Sequence, residues 1–97
     1  MNFEFTKSNG VVTVSLEGRL DTVTAPELES ALGGCYEGAG SLVFDCEKLV
    51  YVSSAGLRVL LGAHKRMKGK MKLKNVNELV MEVLEMTGFA DIWVIEQ

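Results

Sequence analysis

Tyr51-Val52-Ser53-Ser54-Ala55-Gly56-Leu57-Arg58 is the stretch on which the fold turns. Two hydroxyls stand side by side directly after an apolar residue. A glycine follows, and the apolar run Leu57-Arg58-Val59-Leu60-Leu61 begins at once. Serine is a preferred helix N-cap, because its hydroxyl oxygen accepts a hydrogen bond from a first-turn N–H that has no partner within the helix. Ser53 or Ser54 therefore opens a helix, with the other serine beside it on the incoming chain. Either arrangement places a hydroxyl at the positive end of the helix dipole, where an anion such as phosphate is stabilised. The plainer alternative is a capping serine with no chemistry of its own.

Upstream, Leu42-Val43-Phe44 is a short, continuous apolar run, which suits a strand covered on both faces. Asp45 is expected to end it, with Cys46 to Val52 as the loop that leads to the serines. Downstream, the helix is expected to run from about Ser54 to Met67 or Lys68 and to stop near Gly69. Leu57, Leu60, Leu61 and His64 share one face of it, and Val59, Ala63 and Met67 widen that face.

At the N-terminal side, Phe3 and Phe5 alternate with polar residues, Asn9-Gly10 signals a hairpin, and Val12, Val14 and Leu16 alternate again. This predicts two antiparallel strands, the second broken by Gly18, then a loop from Arg19 to Val23 that carries Asp21. Thr24-Ala25-Pro26-Glu27 has the spacing of a capping box, and Leu28, Ala31, Leu32 and Cys35 form an apolar stripe. At the C-terminal side, Met71 and Leu73 alternate with lysines as a strand. Asn75 to Glu78 offers caps for a third helix with Leu79, Val80, Val83 and Leu84 inward and Gly88 past its end. Ile92-Trp93-Val94-Ile95 is a short last strand. The order is ββαβαβαβ over one domain, residues 1–97. Such alternation predicts an α/β fold, with a mixed, partly parallel sheet packed against helices and joined by right-handed crossovers.

Ninety-seven residues, 47% of them apolar, are enough for one modest core. No apolar run approaches the roughly 18 residues that span a bilayer, and no basic-then-apolar leader opens the chain. The expectation is a cytoplasmic monomer with no membrane insertion. Cys35 and Cys46 lack metal or disulfide spacing and are expected to be free thiols, Cys35 as a core residue. The net charge of −3 speaks against nucleic acid as a direct partner. Charge is uneven, however: from Arg58 to Lys74 there are seven basic residues and no acid. A nucleotide- or lipid-sensing patch is one reading of that segment. The reading preferred here is a helix C-terminus followed by a strand with lysines outward.

Enzyme chemistry finds little support. Ser54-Ala55-Gly56 matches half of a nucleophile elbow, but Val52 stands where the first glycine belongs. The only histidine, His64, lies ten residues on in the same expected helix, about 15 Å away at 1.5 Å rise per residue. That distance excludes it as a base for Ser54 and leaves it a packing residue. No phosphate-binding glycine loop is present, and no cofactor or metal is expected.

Val52-Ser53-Ser54-Ala55-Gly56-Leu57 resembles the core motif of anti-sigma factor antagonists of the STAS domain family. Leu16-Glu17-Gly18-Arg19-Leu20-Asp21 with Thr24-Ala25 resembles a second family block. Leu42-Val43-Phe44-Asp45 with Leu49 and Tyr51 resembles a third, in family order. The resemblance implies the STAS fold and a phosphoacceptor at Ser54. Ser53 stands where the family usually has Asp and is the alternative acceptor. The docking surface expected on this reading is Asp21, Thr22, Asp45, Ser53, Ser54, Ala55, Gly56 and Arg58. Asp45 is included because polar groups at strand ends in such sheets cluster at sites; the plainer reading of Asp45 is a polar strand end. The implied partners are an anti-sigma factor with serine kinase activity and a PP2C-type phosphatase that reverses the modification. The alternative is a STAS subunit of a membrane transport system that docks an ATPase.

Overall fold

A computed structural model describes residues 1–97. Asn9 and Gly10 reverse the chain with φ of 53° and 81°, the pair of left-handed residues that a tight hairpin of this hand requires. Strand β1 (Asn2–Ser8) thereby pairs antiparallel with β2 (Val11–Leu20), in register from Asn2↔Glu17 to Ser8↔Val11. Helix α1 (Ala25–Leu32) returns the chain to β3 (Ser41–Val52), which lies parallel to β2. Helix α2 (Ser54–Arg66), β4 (Met71–Lys74), α3 (Glu78–Thr87), a 3-10 turn at Phe89–Asp91 and β5 (Val94–Ile95) follow. The sheet order is β1-β2-β3-β4-β5, antiparallel at the first pair and parallel at the others. This is the ββαβαβαβ α/β architecture that the alternation of patterns predicts.

One cluster holds the molecule together. Val12, Val14 and Leu16 of β2, Leu42 and Phe44 of β3, and Met71 and Leu73 of β4 meet Leu28 and Leu32 of α1. Leu57 and Leu60 of α2, with Val80 and Leu84 of α3, complete it. Burying a side chain of this size contributes about 1.5–3 kcal/mol. All three helices feed this one cluster, so they share one side of the sheet. The other side carries the residues of opposite parity, among them Glu4, Ser15, Glu17 and Asp45, with Val43 buried among them.

Several expectations are corrected. Gly18 does not break β2, and Asp45 does not end β3. Cys46 to Val52 is strand, not loop, and pairs with β2 as far as Leu20↔Val52. The pairing slips twice, between Ser15 and Glu17 and between Gly18 and Arg19, and each slip places one extra residue in β3. Each bulge reverses the inward parity. Cys46, Leu49 and Val52 are therefore buried at intervals of three, a pattern that strand alternation does not show. Gly18 has φ 101° at the second slip, where a side chain is strained. Cys35 lies past the end of α1 and is half-buried, packed against the core and not within it. Leu79 points outward, 56% exposed, so that the inward face of α3 is Val80 and Leu84 with Val83 half-buried. Ile92 is exposed and lies outside β5.

The C-terminal corner is aromatic. Trp93 stacks on Phe89 with centroids 4.5 Å apart, and half-buried His64 lies 6.4 Å from the indole. The Trp93 Nε1–H is buried without a hydrogen-bond partner, which costs about 1–3 kcal/mol.

Both cysteines are free. Burial pushes the Cys46 thiol up to about 12, with the Asp45 charge acting in the same direction. Burial also raises Cys35, although that residue is half exposed. Thiolate is the reactive form, so at pH 8 the native protein should react with a thiol reagent at Cys35 while Cys46 lags far behind. Denatured, freshly purified protein should titrate two thiols without reductant. A disulfide, or equal native rates, would contradict this.

Candidate functional site

The two longest parallel strands end together. Leu20 pairs with Val52, and the Leu20 carbonyl accepts a hydrogen bond from Ser53 N–H at 2.8 Å. The loop after β2 and the start of α2 are thus fixed side by side at the C-terminal end of the sheet, where sites in such folds gather.

Ser53 is the N-cap of α2. Its backbone is extended and its Oγ accepts from Gly56 N–H at 3.3 Å. Ser54 is the first helical residue and is exposed. The two serines that capping preference leaves equivalent are therefore different: the Ser53 hydroxyl is committed to the helix, and Ser54 is exposed. Ala55 is half-buried, Gly56 is buried, and Arg58 is exposed one turn beyond Ser54. Gly56 sits in a seam. A Cβ there would lie 2.7 Å from Leu20 Cγ, 2.9 Å from the Leu20 carbonyl oxygen and 3.0 Å from Val52 Cγ2.

The β2–α1 turn is tied by Asp21. Its Oδ1 accepts from Val23 N–H at 3.0 Å and Thr24 N–H at 3.1 Å. The Thr24 hydroxyl accepts from Asp21 N–H at 2.9 Å and donates to the Arg19 carbonyl at 2.7 Å. Thr24 is the N-cap of α1 by position, but its side chain bonds no first-turn N–H, and the expected capping box with Glu27 is absent. Asp21 has taken that role over from one turn upstream. The Thr24 N–H holds the Asp21 carboxyl below its ordinary 3.8, helped by Val23 N–H, the Thr24 hydroxyl and Arg19, against partial burial. A lowered carboxylate stabilises the turn above its unfolded value, and that contribution disappears as pH falls through the lower folded value.

Arg19 lies with its guanidinium 4.2 Å over the Tyr51 ring and 3.8 Å from Asp21 Oδ2. Thr22 and Val23 project from the same turn, Val23 with 77% of its surface exposed. Arg19 and Tyr51 escape a reading of spacing, because their pairing depends on the second bulge of β3. An apolar Val23 in a polar turn is the signal that was legible for this rim.

Asp21 and Thr22, which follow Leu20, are set beside Ser53, Ser54, Ala55 and Gly56 where the strands end, Arg58 lies one turn along α2, and Asp45 is elsewhere. Asp45 pairs with Ser15, five β2 residues before Leu20, which is about 17 Å along a strand. There its Oδ1 accepts from Asn75 Nδ2 at 2.9 Å and Glu47 N–H at 3.2 Å, so it fastens the turn after β4. No cluster of three or more His, Cys, Asp or Glu is placed to hold a metal ion. No helix is long and apolar enough to cross a membrane.

The basic segment divides. Lys72 and Lys74 lie on β4, with Lys72 3.2 Å from Glu96, whereas Lys68 and Lys70 flank Gly69 beyond the end of α2. Changing all four to Gln should leave the fold intact by circular dichroism. Micromolar, salt-sensitive nucleic-acid binding lost on that change would show the four lysines to be more than solubilising.

Comparison with known proteins agrees with this geometry. The STAS domain family model matches residues 2–97. BtrV of Bordetella bronchiseptica, a protein named as a candidate anti-sigma factor antagonist, is 33% identical over 97 residues, covering 96% of this chain and 84% of that protein. The anti-sigma-B factor antagonist of Bacillus subtilis is 28% identical, over 95% of this chain and 87% of that protein. The crystal structure of an anti-sigma factor antagonist from Mycobacterium paratuberculosis superposes with a TM-score of 0.88. It is 23% identical and covers 98% of this chain and 84% of its own. With the hairpin, the parallel β2–β3 pair and the serine-capped α2 all in place, this chain belongs to the STAS domain family.

Proposed function

We propose that this chain is an anti-sigma factor antagonist, a binding module switched by phosphate on Ser54 and not an enzyme. Unphosphorylated, it sequesters an anti-sigma factor that is also its serine kinase, and a PP2C-type phosphatase resets it. One observation carries the reading: Ser53 is spent on capping α2, and Ser54 is presented to solvent as the first residue of that helix. A kinase needs an accessible hydroxyl, and a phosphate there meets the oriented N–H groups of the first turn. The names of the relatives at 33% and 28% identity support the class of partner. The docking surface is the cluster of Asp21, Thr22, Ser53, Ser54, Ala55, Gly56 and Arg58, with Val23 at its rim. Asp45 has no part in it.

The test is capture of partners from the native host on the purified protein, with and without ATP. A kinase of the anti-sigma class held without ATP and released with it, together with phosphate mapped to Ser54, is the expected result. A transport ATPase on the bait would replace this reading with the transport alternative. Phosphate mapped only to Ser53 would overturn the assignment of the acceptor.

A further inference from the structure

We infer that Arg58 is the internal counter-ion of a phosphate on Ser54, a deepening that rests on the reading above. The chain has three arginines. Arg19 is engaged over Tyr51 and beside Asp21, and Arg66 lies over the Tyr36 ring at 5.0 Å. Arg58 makes no ion pair, no ring contact and no side-chain hydrogen bond, although it is exposed on a well-formed helix. It stands four residues after Ser54, and both residues are exposed. Positions i and i+4 lie on one helix face, and the later side chain leans back towards the helix N-terminus, over the earlier one.

The first turn of α2 supplies the second observation. Helices α1 and α3 each carry an acid there, Glu27 and Glu78, and α2 carries none. The first turn of α2 therefore offers no carboxylate of its own to repel a phosphate on Ser54. That phosphate meets the N–H groups on one side and the fork of Arg58 on the other, a geometry suited to charge-assisted, two-point pairing. The capture also withdraws Arg58 from the docking surface. Phosphate then acts twice on a partner: it adds negative charge, and it removes the nearest free positive one.

The experiment inserts phosphoserine at position 54 during translation, so that no kinase is needed. Phosphorus NMR then follows the second ionisation of the phosphate against pH in the otherwise unchanged protein and in Arg58→Gln and Arg58→Lys. The midpoint is expected below the ordinary value of about 6, and Arg58→Gln should raise it by about half a pH unit. Arg58→Lys should keep most of the lowering, and added salt should shrink the gap. The Arg58 Nε–H signal should shift on phosphorylation in the wild-type background. Identical midpoints with Arg and Gln at position 58 would overturn the inference. Because the phosphoserine is built in, that failure is separable from a kinase declining to choose Ser54.

Discussion

Ser54→Asp is expected to weaken binding of the proposed anti-sigma partner at least tenfold, and full phosphorylation at least a hundredfold, with the fold intact. A phosphate brings about −1.5 to −2 charges at pH 7. At the N-terminus of α2 that charge is tolerated by the helix, so the melting temperature should hold or rise slightly. Asp21 already places a carboxylate in the same cluster, and its hydrogen bonds keep it ionised. A partner shaped around a neutral hydroxyl must then desolvate a strongly charged group for which it has no counter-charge. Such a group costs several kcal/mol, and each 1.4 kcal/mol is about tenfold in affinity. Aspartate carries one charge and reaches less far, hence the smaller effect. Ser54→Ala should bind fully and resist phosphorylation. Titration calorimetry with the purified partner checks all three. A Ser54→Asp protein that binds as tightly as wild type would sink the switch.

Gly56→Ala is expected to lower stability by about 3 kcal/mol, at the upper end of what overpacking costs. Two of the three atoms a methyl group would strike cannot give way. One is the Leu20 carbonyl, which holds Ser53 N–H at 2.8 Å, and another belongs to the fully buried Leu20 side chain. The helix must therefore move off the strand end, and the Ser53 cap moves with it. For a domain of this size the melting temperature should fall by about 15 °C. Gly62→Ala is the control. Gly62 is exposed on the same helix with nothing near its would-be Cβ, so alanine there should stabilise by about 0.5–1 kcal/mol through helix propensity. Equal effects at the two glycines would refute the seam.

Much of this was legible in the residues themselves, and the failures share a cause. Asn9-Gly10, the apolar stripes of α1 and α2, and the cap Asn77, whose Oδ1 accepts from Val80 N–H at 2.8 Å, are local signals set by neighbours in sequence. They gave the element order. The serine pair was legible as a helix start for the same reason. What stayed hidden depends on pairing between distant segments. The two bulges of β3 convert an alternating code into intervals of three, so Cys46 to Val52 looks like a loop. The same bulges carry Asp45 far from Ser54. The Asp21 tie replaces a capping box that the composition of α1 advertises, because a competing acceptor one turn earlier reaches the same N–H. Capping preference alone does not distinguish Ser53 from Ser54 before the bond to Gly56 is known; only the family resemblance ranks Ser54 first.

The stacked Trp93 corner decides what an optical experiment on this protein can see. The chain has one tryptophan, buried against Phe89 and neighboured by His64, which is ten residues, about 15 Å, along α2 from Ser54. An indole buried in apolar surroundings emits towards the blue and shifts red when wetted. Its emission therefore registers loss of the α3–β5 corner and stays silent when the far end of α2 is modified. Fluorescence can follow the unfolding of this domain, but a reporter of the proposed switch has to be placed elsewhere, at an exposed position such as Val23.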